Sequence, residues 1–340
     1  MPDQELTNLE LEQKTINNSI DASQINKNRK CWMRSIEVTL TSKISKRQMK
    51  FSTEDKYQFT MDITGSKNLA LNKDKGTLSI YNLEYDKVVE IMLLQYYQIE
   101  IKAGYKSIGD LPTIFKGQIS YISQKIHSKH DVETYITFAN TLVARYSQSR
   151  INFNLNSGIN LYSALSYCCK LSGMGKNVNI SPQLQKQFLK NVYNQYGTFS
   201  TVFDNLTSTS GNYQISSDES EGNVINCTTI ADKRKIRIDP NTINITKGNP
   251  TVTSAGLKIT LLPTFNFMPG DIIIIDNAML NVSIRDAESV TTTFNTNYMD
   301  QNGQYMIISI DYHFQNRGST FEFNITARAL DIIKKIQTTQ

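Results

Sequence analysis

Three histidines are the first residues of this chain to consider for acid–base chemistry or metal binding. His127 and His130 lie at the approach to a strand-like segment, and residues three apart on a strand face opposite sides of a sheet. They are therefore not expected to share a metal ion. His313 stands between Tyr312 and Phe314 in an alternating segment, where a structural histidine is the common case. The histidines predict neither a metal site nor a catalytic base.

A glycine-rich segment that begins at Gly173 is the candidate for phosphate binding. It reads Gly-Met-Gly-Lys-Asn, but a phosphate-binding loop needs another glycine where Lys170 stands and a serine or threonine where Asn177 stands. Acidic residues cluster at positions 84–86 and 218–221 without the paired setting that glycoside hydrolysis requires. We therefore expect no enzyme, no cofactor and no metal site, and a hydrolase stays the minor alternative.

The four cysteines, Cys31, Cys168, Cys169 and Cys227, show no C-x-x-C spacing. The N-terminus has neither the basic nor the apolar segment of a secretory signal, so we expect synthesis in a reducing cytoplasm and four free thiols. The longest aliphatic run, Ile272 to Ile275, is far shorter than the roughly 20 residues of a membrane span. Membrane insertion is therefore not expected.

Basic residues form two local clusters, although the net charge of +5 is mild for 340 residues. One cluster lies at 43–50, and the other comprises Lys233, Arg234, Lys235 and Arg237. We interpret both as solvated faces or subunit contacts, with contact to phosphate or an acidic partner as the alternative.

The elements that would position these residues begin after a polar stretch. Residues 1–30 contain no aromatic side chain and are expected to form an arm that orders, if at all, by docking on a neighbouring subunit. From Cys31 onwards, alternating segments predict a series of strands, for example Arg34-Ser-Ile-Glu-Val-Thr-Leu-Thr. A short helix is predicted near Tyr85 to Leu94. Several strands in about 110 residues indicate a closed or sandwiched antiparallel sheet.

The middle of the chain has a different periodicity. Two groups of apolar residues each fall on one helical face, and each predicted helix is followed by a β-prone stretch. We expect a small α/β unit whose core includes Leu161, Leu165, Phe199, Phe203 and Leu206. A third strand near Gly222 to Thr228 is expected to complete its sheet.

Strands return after Pro250, so the sequence predicts a mainly β protein with an α/β insert. Two antiparallel β-barrel domains would flank the smaller α+β domain, behind the polar arm. The predicted divisions are the arm 1–30, the first barrel 31–147, the middle domain 148–249, the second barrel 250–335 and a tail 336–340.

The order of these elements and several short sequence segments resemble those of the central baseplate hub proteins of contractile-tailed phages. These include the late control protein D and phage Mu hub types, and the fold is shared by the hub domains of type VI secretion spikes. The resemblance is strongest in Asn249-Pro-Thr-Val-Thr-Ser-Ala-Gly-Leu-Lys-Ile-Thr-Leu-Leu-Pro, in Met268-Pro-Gly-Asp and in the segment from Gly303 to Phe314. Its structural motif residues are Gly256, Pro263, Pro269, Gly270, Asp271 and Gly303. Pro269 fixes φ for a turn, Gly270 tolerates a positive φ, and Asp271 can bond the local backbone.

The resemblance implies a structural role in the virion. Family hubs are homotrimers whose two barrels per chain present six similar units to the tail tube, while the opposite face receives a central spike. Tape-measure and baseplate wedge proteins are further partners, and DNA passes through the ring after the spike leaves. The implied location is the tail baseplate, assembled in the host cytoplasm. The alternative is a receptor- or carbohydrate-binding β protein of the tail periphery.

Overall fold

The computed structural model describes residues 20–21, 33–54, 59–69, 74–93, 96–127, 131–140, 149–173, 178–208, 213–218, 224–229, 232–238, 249–253, 256–282 and 299–330. Cys31 and His130 lie outside these residues. The predicted arm is described only at Ile20–Asp21, which form strand β1.

The first β unit contains seven antiparallel strands in the spatial order β4-β5-β8-β7-β6-β2-β3. Alternation creates its core, since Ile36, Val38 and Leu40 of β2 are fully buried. The elements are β2 Arg34–Ser42, β3 Gln48–Ser52, β4 Thr60–Asn68, β5 Lys75–Tyr81, helix α1 Tyr85–Leu93, β6 Tyr96–Tyr105, β7 Thr113–Ile126 and β8 Val132–Ala139. Strand β3, which begins within the basic cluster at 43–50, was not predicted.

The middle domain contains two small sheets against two helices. Helices α2 (Leu161–Leu171) and α3 (Phe199–Ser208) confirm the two predicted helices, and Asn160 caps α2 by accepting a hydrogen bond from the Ser163 N–H at 2.7 Å. The predicted three-stranded sheet is confirmed as β10 Val178–Ile180, β12 Tyr213–Asp218 and β13 Val224–Thr229. A second pair, β9 Arg150–Leu155 with β11 Tyr193–Thr198, was not predicted.

The second β unit has the spatial order β18-β15-β16-β20-β19, and β17 pairs with the first part of β19. Its outer contacts depart from the all-antiparallel expectation, because β15–β18, β14–β17 and β1–β14 are parallel. Strand β14 falls within the predicted middle domain, yet it pairs with the second unit. The strands are β14 Lys235–Arg237, β15 Thr251–Thr253, β16 Gly256–Leu261, β17 Ile272–Ile274, β18 Asn281–Val282, β19 Gln304–Gln315 and β20 Phe321–Ala329.

The arm was expected to order, if at all, by docking on a neighbouring subunit. The described part of it instead pairs within the chain, with Ile20 opposite Ile236 of β14. Parallel pairing to β14 supplies the backbone partners that so short a segment cannot provide for itself.

Two large hydrophobic clusters and one small cluster of Ile272, Met306 and Leu330 form the core of the described residues. One large cluster spans both β units, and the other fills the middle domain. Cys168, Cys169 and Cys227 are free thiols in the middle-domain cluster, where burial raises the pKa of the Cys168 thiol to about 12. None of the helices in the described residues is long and apolar enough to cross a bilayer. The mainly β class with an α/β insert is confirmed.

Candidate functional site

The two β units are joined in one continuous sheet by antiparallel pairing of β4 with the second half of β19. We call this pairing the seam. It runs from Ser309 opposite Asn68 to Gln315 opposite Asp62, and the Leu69 N–H donates to the Ile308 carbonyl at 2.9 Å to extend it. The seam fixes how the two β units sit relative to each other, because a shift of one residue would turn every side chain to the opposite face.

Polar side chains specify the register at one end of the seam. Asp62 faces His313 Nε2 at 3.0 Å and accepts a hydrogen bond from Gln315 Nε2 at 2.7 Å. Asn316 accepts from the Met61 N–H at 2.9 Å, and its amide donates to the Phe59 carbonyl at the same distance. Because these contacts are partly exposed, we expect them to select the register of the two strands and to contribute little to the free energy of unfolding.

Aromatic rings and a cation cross between the β units next to these polar contacts. The Tyr105 ring of the first unit lies 5.3 Å from the Phe321 ring of the second, in an edge-to-face arrangement. The Arg34 guanidinium lies over the same Phe321 ring at 5.3 Å, and its Nη1 donates to the Gly318 carbonyl at 2.7 Å. Strand β2 therefore holds the turn between β19 and β20.

Gly65 leaves room at the seam for the Tyr312 side chain of the facing strand. A Cβ atom at this position would lie 2.3 Å from the Tyr312 hydroxyl and 2.8 Å from the Lys75 carbonyl oxygen. The Tyr312 hydroxyl is buried and makes no hydrogen bond within the part of the chain that the structure describes. The position of the Tyr312 ring is therefore set by packing over Gly65.

The turn Met268-Pro-Gly-Asp lies at the start of β17. Gly270 has φ +91°, in the region that favours glycine, and Asp271 accepts a hydrogen bond from the Met268 N–H at 2.8 Å. Pro269 is buried beside them. Asp271 therefore bonds the local backbone and closes its own turn before the strand begins.

The same carboxylate receives Arg234 from the segment that enters β14. Arg234 donates from Nε to Asp271 Oδ1 at 3.1 Å and from Nη2 to Oδ2, and it lies over the Phe265 ring at 4.9 Å. Burial raises the pKa of Asp271, and the hydrogen bonds from Arg234 oppose that change. Arg234 was interpreted as part of a solvated or subunit-contact cluster, but it ties the entry of β14 to the turn before β17.

Lys233 departs from the solvated interpretation in the same way. Its Nζ would lie 3.0 Å from a Cβ at Gly270, and burial lowers its pKa from 10.5 to about 8. Between about pH 8 and 10.5 the unfolded chain thus binds more protons at this residue than the folded chain, so raising the pH stabilises the fold.

We expect Lys233→Met to stabilise the protein at pH 7 by roughly 1 to 3 kcal/mol, because a desolvated charge is removed. The gain should shrink towards pH 10, where the wild-type lysine is mostly neutral. Urea unfolding at both pH values measures it, with the exposed Lys258→Met as control. A gain that does not change with pH would contradict this assignment.

The remaining motif residues lie at other bends of the second β unit. Pro263 is buried just after β16, and Gly256 and Gly303 have φ values of +116° and +65°. A Cβ on Gly303 would lie 2.0 Å from the Ile275 carbonyl oxygen, so only glycine fits there. The predicted middle-domain residues are separate from the seam. They are at most 1% exposed: Leu161, Leu165, Phe199, Phe203 and Leu206.

The two described histidines that were considered for acid–base chemistry or metal binding lie in separate contacts. His127 contacts Glu133 at 2.7 Å and His313 contacts Asp62, and within the described ranges no three metal-ligating side chains come together. Hydrogen bonds from Ser79 and His127 lower the pKa of Glu133. The arrangement fixes strands, and we assign it no reaction.

Sequence reasoning missed the seam and the Arg234–Asp271 pair. The only local signal was Gly65 within an otherwise well-formed strand pattern, since glycine in a strand often marks close approach of another chain segment.

Comparison with known proteins gives the fold. No protein-family model matches the sequence, and no curated protein matches it. The structure is similar to the 43 kDa tail protein of prophage MuSo2 from Shewanella oneidensis, with TM-score 0.53 and 9% identity over 87% of this chain and 98% of that one. It is also similar to a tail protein from Neisseria meningitidis MC58, with TM-score 0.54 and 7% identity over 89% and 98%. The chain therefore has the fold of these tail proteins.

Proposed function

We propose that this chain, with the tail-protein fold as premise, is the central hub of a contractile tail or a related injection machine. Three copies would form a ring that joins the sixfold tail tube to a threefold central spike. The observation that carries the proposal is the seam, which holds two β units of the same chain side by side in one sheet. Three chains with two such units supply six positions.

The proposed mechanism is mechanical and involves no catalysis. The ring adapts the sixfold tube above to the threefold spike below and holds the spike until contraction. The departing spike then leaves a passage for the tape-measure protein and for DNA. The rigidity that this requires is supported by the shared hydrophobic cluster and by the polar and aromatic contacts across the seam.

The partners follow from the two faces of the ring. We propose a tail tube protein on one face and a spike protein on the other, with baseplate wedge proteins around the outside. The proposed location is the baseplate of the virion tail, after assembly in the host cytoplasm.

The copy number of the chain in purified tails tests this function. Quantitative mass spectrometry against the tail tube protein should give three copies per tail. Six copies per tail would contradict the trimer. Binding of immobilised host glycans by a peripheral copy would favour the receptor-binding alternative, and clearing of peptidoglycan by the purified chain would favour a hydrolase.

A further inference from the structure

The two β units repeat one strand order. In the first unit β4-β5-β8-β7-β6 follow one another across the sheet, and in the second unit the order is β15-β16-β20-β19-β17. In both units the longest strand forms a hairpin with the strand that follows it in sequence, β7 with β8 and β19 with β20. The repeat therefore gives each strand of one hairpin a counterpart in the other.

A β-bulge at the same place sets the alignment of the two hairpins. It lies between Ile119 and Tyr121 in β7 and between Ile307 and Ser309 in β19. With the bulges superposed, β8 and β20 match at three positions: Glu133 with Glu322, Ile136 with Ile325, and Thr137 with Thr326. In this alignment Tyr121 to Ile126 of β7 correspond to Ser309 to Phe314 of β19.

The corresponding halves differ in what covers them. The second half of β19 is covered by β4 at the seam, and Tyr312 and Phe314 are at most 2% exposed. No strand among the described residues covers the outer side of Ile119–Ile126, which we call the outer edge of β7. Its Tyr121 and Ile126 are 59% and 76% exposed. An unpaired edge with exposed apolar side chains favours pairing with another strand.

We propose that the outer edge of β7 is a subunit interface, occupied by the edge of the second β unit that carries β15 and β18 in another copy of this chain. The proposal rests on the trimeric ring of the proposed function. Within one chain, β4 of the first unit covers β19 of the second. Strand β15 holds the β4 position in the repeat, and β18 lies beside it at Thr251 and Val252. The equivalent contact between chains is head-to-tail, and in the proposed trimer three such contacts close the ring.

The repeat also names residues that should come together. Lys125 corresponds to His313, which lies opposite Thr64 at the seam. Counting across β5 and β16 from the matched Thr137 and Thr326, Thr64 corresponds to Thr251, which is paired with Asn281. Lys125 of one copy and Asn281 of the next should therefore lie within two strand spacings, about 10 Å. Both side chains are exposed, so substitution should leave the fold intact.

The test is cross-linking in assembled tails that carry Lys125→Cys together with Asn281→Cys. A bismaleimide that spans about 10 Å should give covalent dimers and trimers on a denaturing gel. The matched control is Lys116→Cys with Asn281→Cys, because Lys116 lies on the inner half of β7, opposite Glu100 of β6. The control and each single variant should stay monomeric on the gel.

The outcomes separate this proposal from the proposed function. Tails with three copies of the chain but no Lys125–Asn281 products would overturn the edge assignment and leave the hub in place, as would equal products from the control. A copy number other than three would overturn the hub, and the interface with it.

Discussion

Replacing Phe203 with alanine is expected to destabilise the middle domain by about 3 to 5 kcal/mol. Phe203 is fully buried in α3, and its ring lies 5.1 Å from that of Phe199. Truncation removes most of the side chain and leaves a cavity that the surrounding helices and sheets can fill only in part. Urea unfolding of the whole chain, with amide hydrogen exchange to locate the loss, measures the effect.

The control for this prediction is Phe188→Ala in the same domain. Phe188 is 61% exposed, so its removal should change stability by less than about 0.5 kcal/mol. If the Phe203→Ala variant unfolds like wild type, the assignment of Phe203 to the domain core is wrong.

The substitution Gly65→Ala places a single methyl group at the seam. It is expected to lower the free energy of unfolding by about 2 to 3 kcal/mol. The new Cβ would meet the Tyr312 ring and the Lys75 carbonyl oxygen, both closer than real Cβ atoms come to any neighbour. Because the Tyr312 ring belongs to the seam strand β19 and the carbonyl belongs to β5 on the other side of β4, relieving both contacts requires a shift of β4 at the seam. Thermal or urea unfolding gives the stability, and exchange of the β4 amides reports opening of the seam.

Gly197→Ala is the matched control, because it makes the same change in β11 with ample space. The nearest atom to a Cβ there is 3.7 Å away, and the lost backbone entropy of the unfolded chain should make the variant neutral or slightly more stable. Equal stabilities of the two variants would show that the seam tolerates separation, against the rigid arrangement proposed for the ring.

The elements of this fold follow from local sequence patterns to a large extent. Alternating apolar residues in β2 and β20 and the helical spacing of apolar residues in α2 and α3 were enough to place these elements. An element that is buried on one face repeats its apolar residues with a period of two in a strand and 3.6 in a helix. Strands β3, β9 and β11 were missed, as were the short strands β1, β14, β15 and β18. In β11, Tyr-Asn-Gln-Tyr-Gly-Thr offers few apolar residues to alternate.

The seam could not be predicted in the same way. Asp62 and Gln315 form a hydrogen bond although most of the chain lies between them in sequence. The residues next to either one give no indication of this partner. The role of Arg234 was hidden for a related reason. A run of basic residues usually indicates a solvated face. Only the structure shows that the buried carboxylate of Asp271 lies beside Arg234.

Cryo-electron microscopy of assembled tails tests the central claim most directly. We predict three copies of this chain in a ring between the tube and the spike, with the two β units of each copy at neighbouring positions of a pseudo-sixfold collar. The seam should lie within each copy. A ring of six copies with one copy per tube protomer, or a single copy at the tail periphery, would contradict the account.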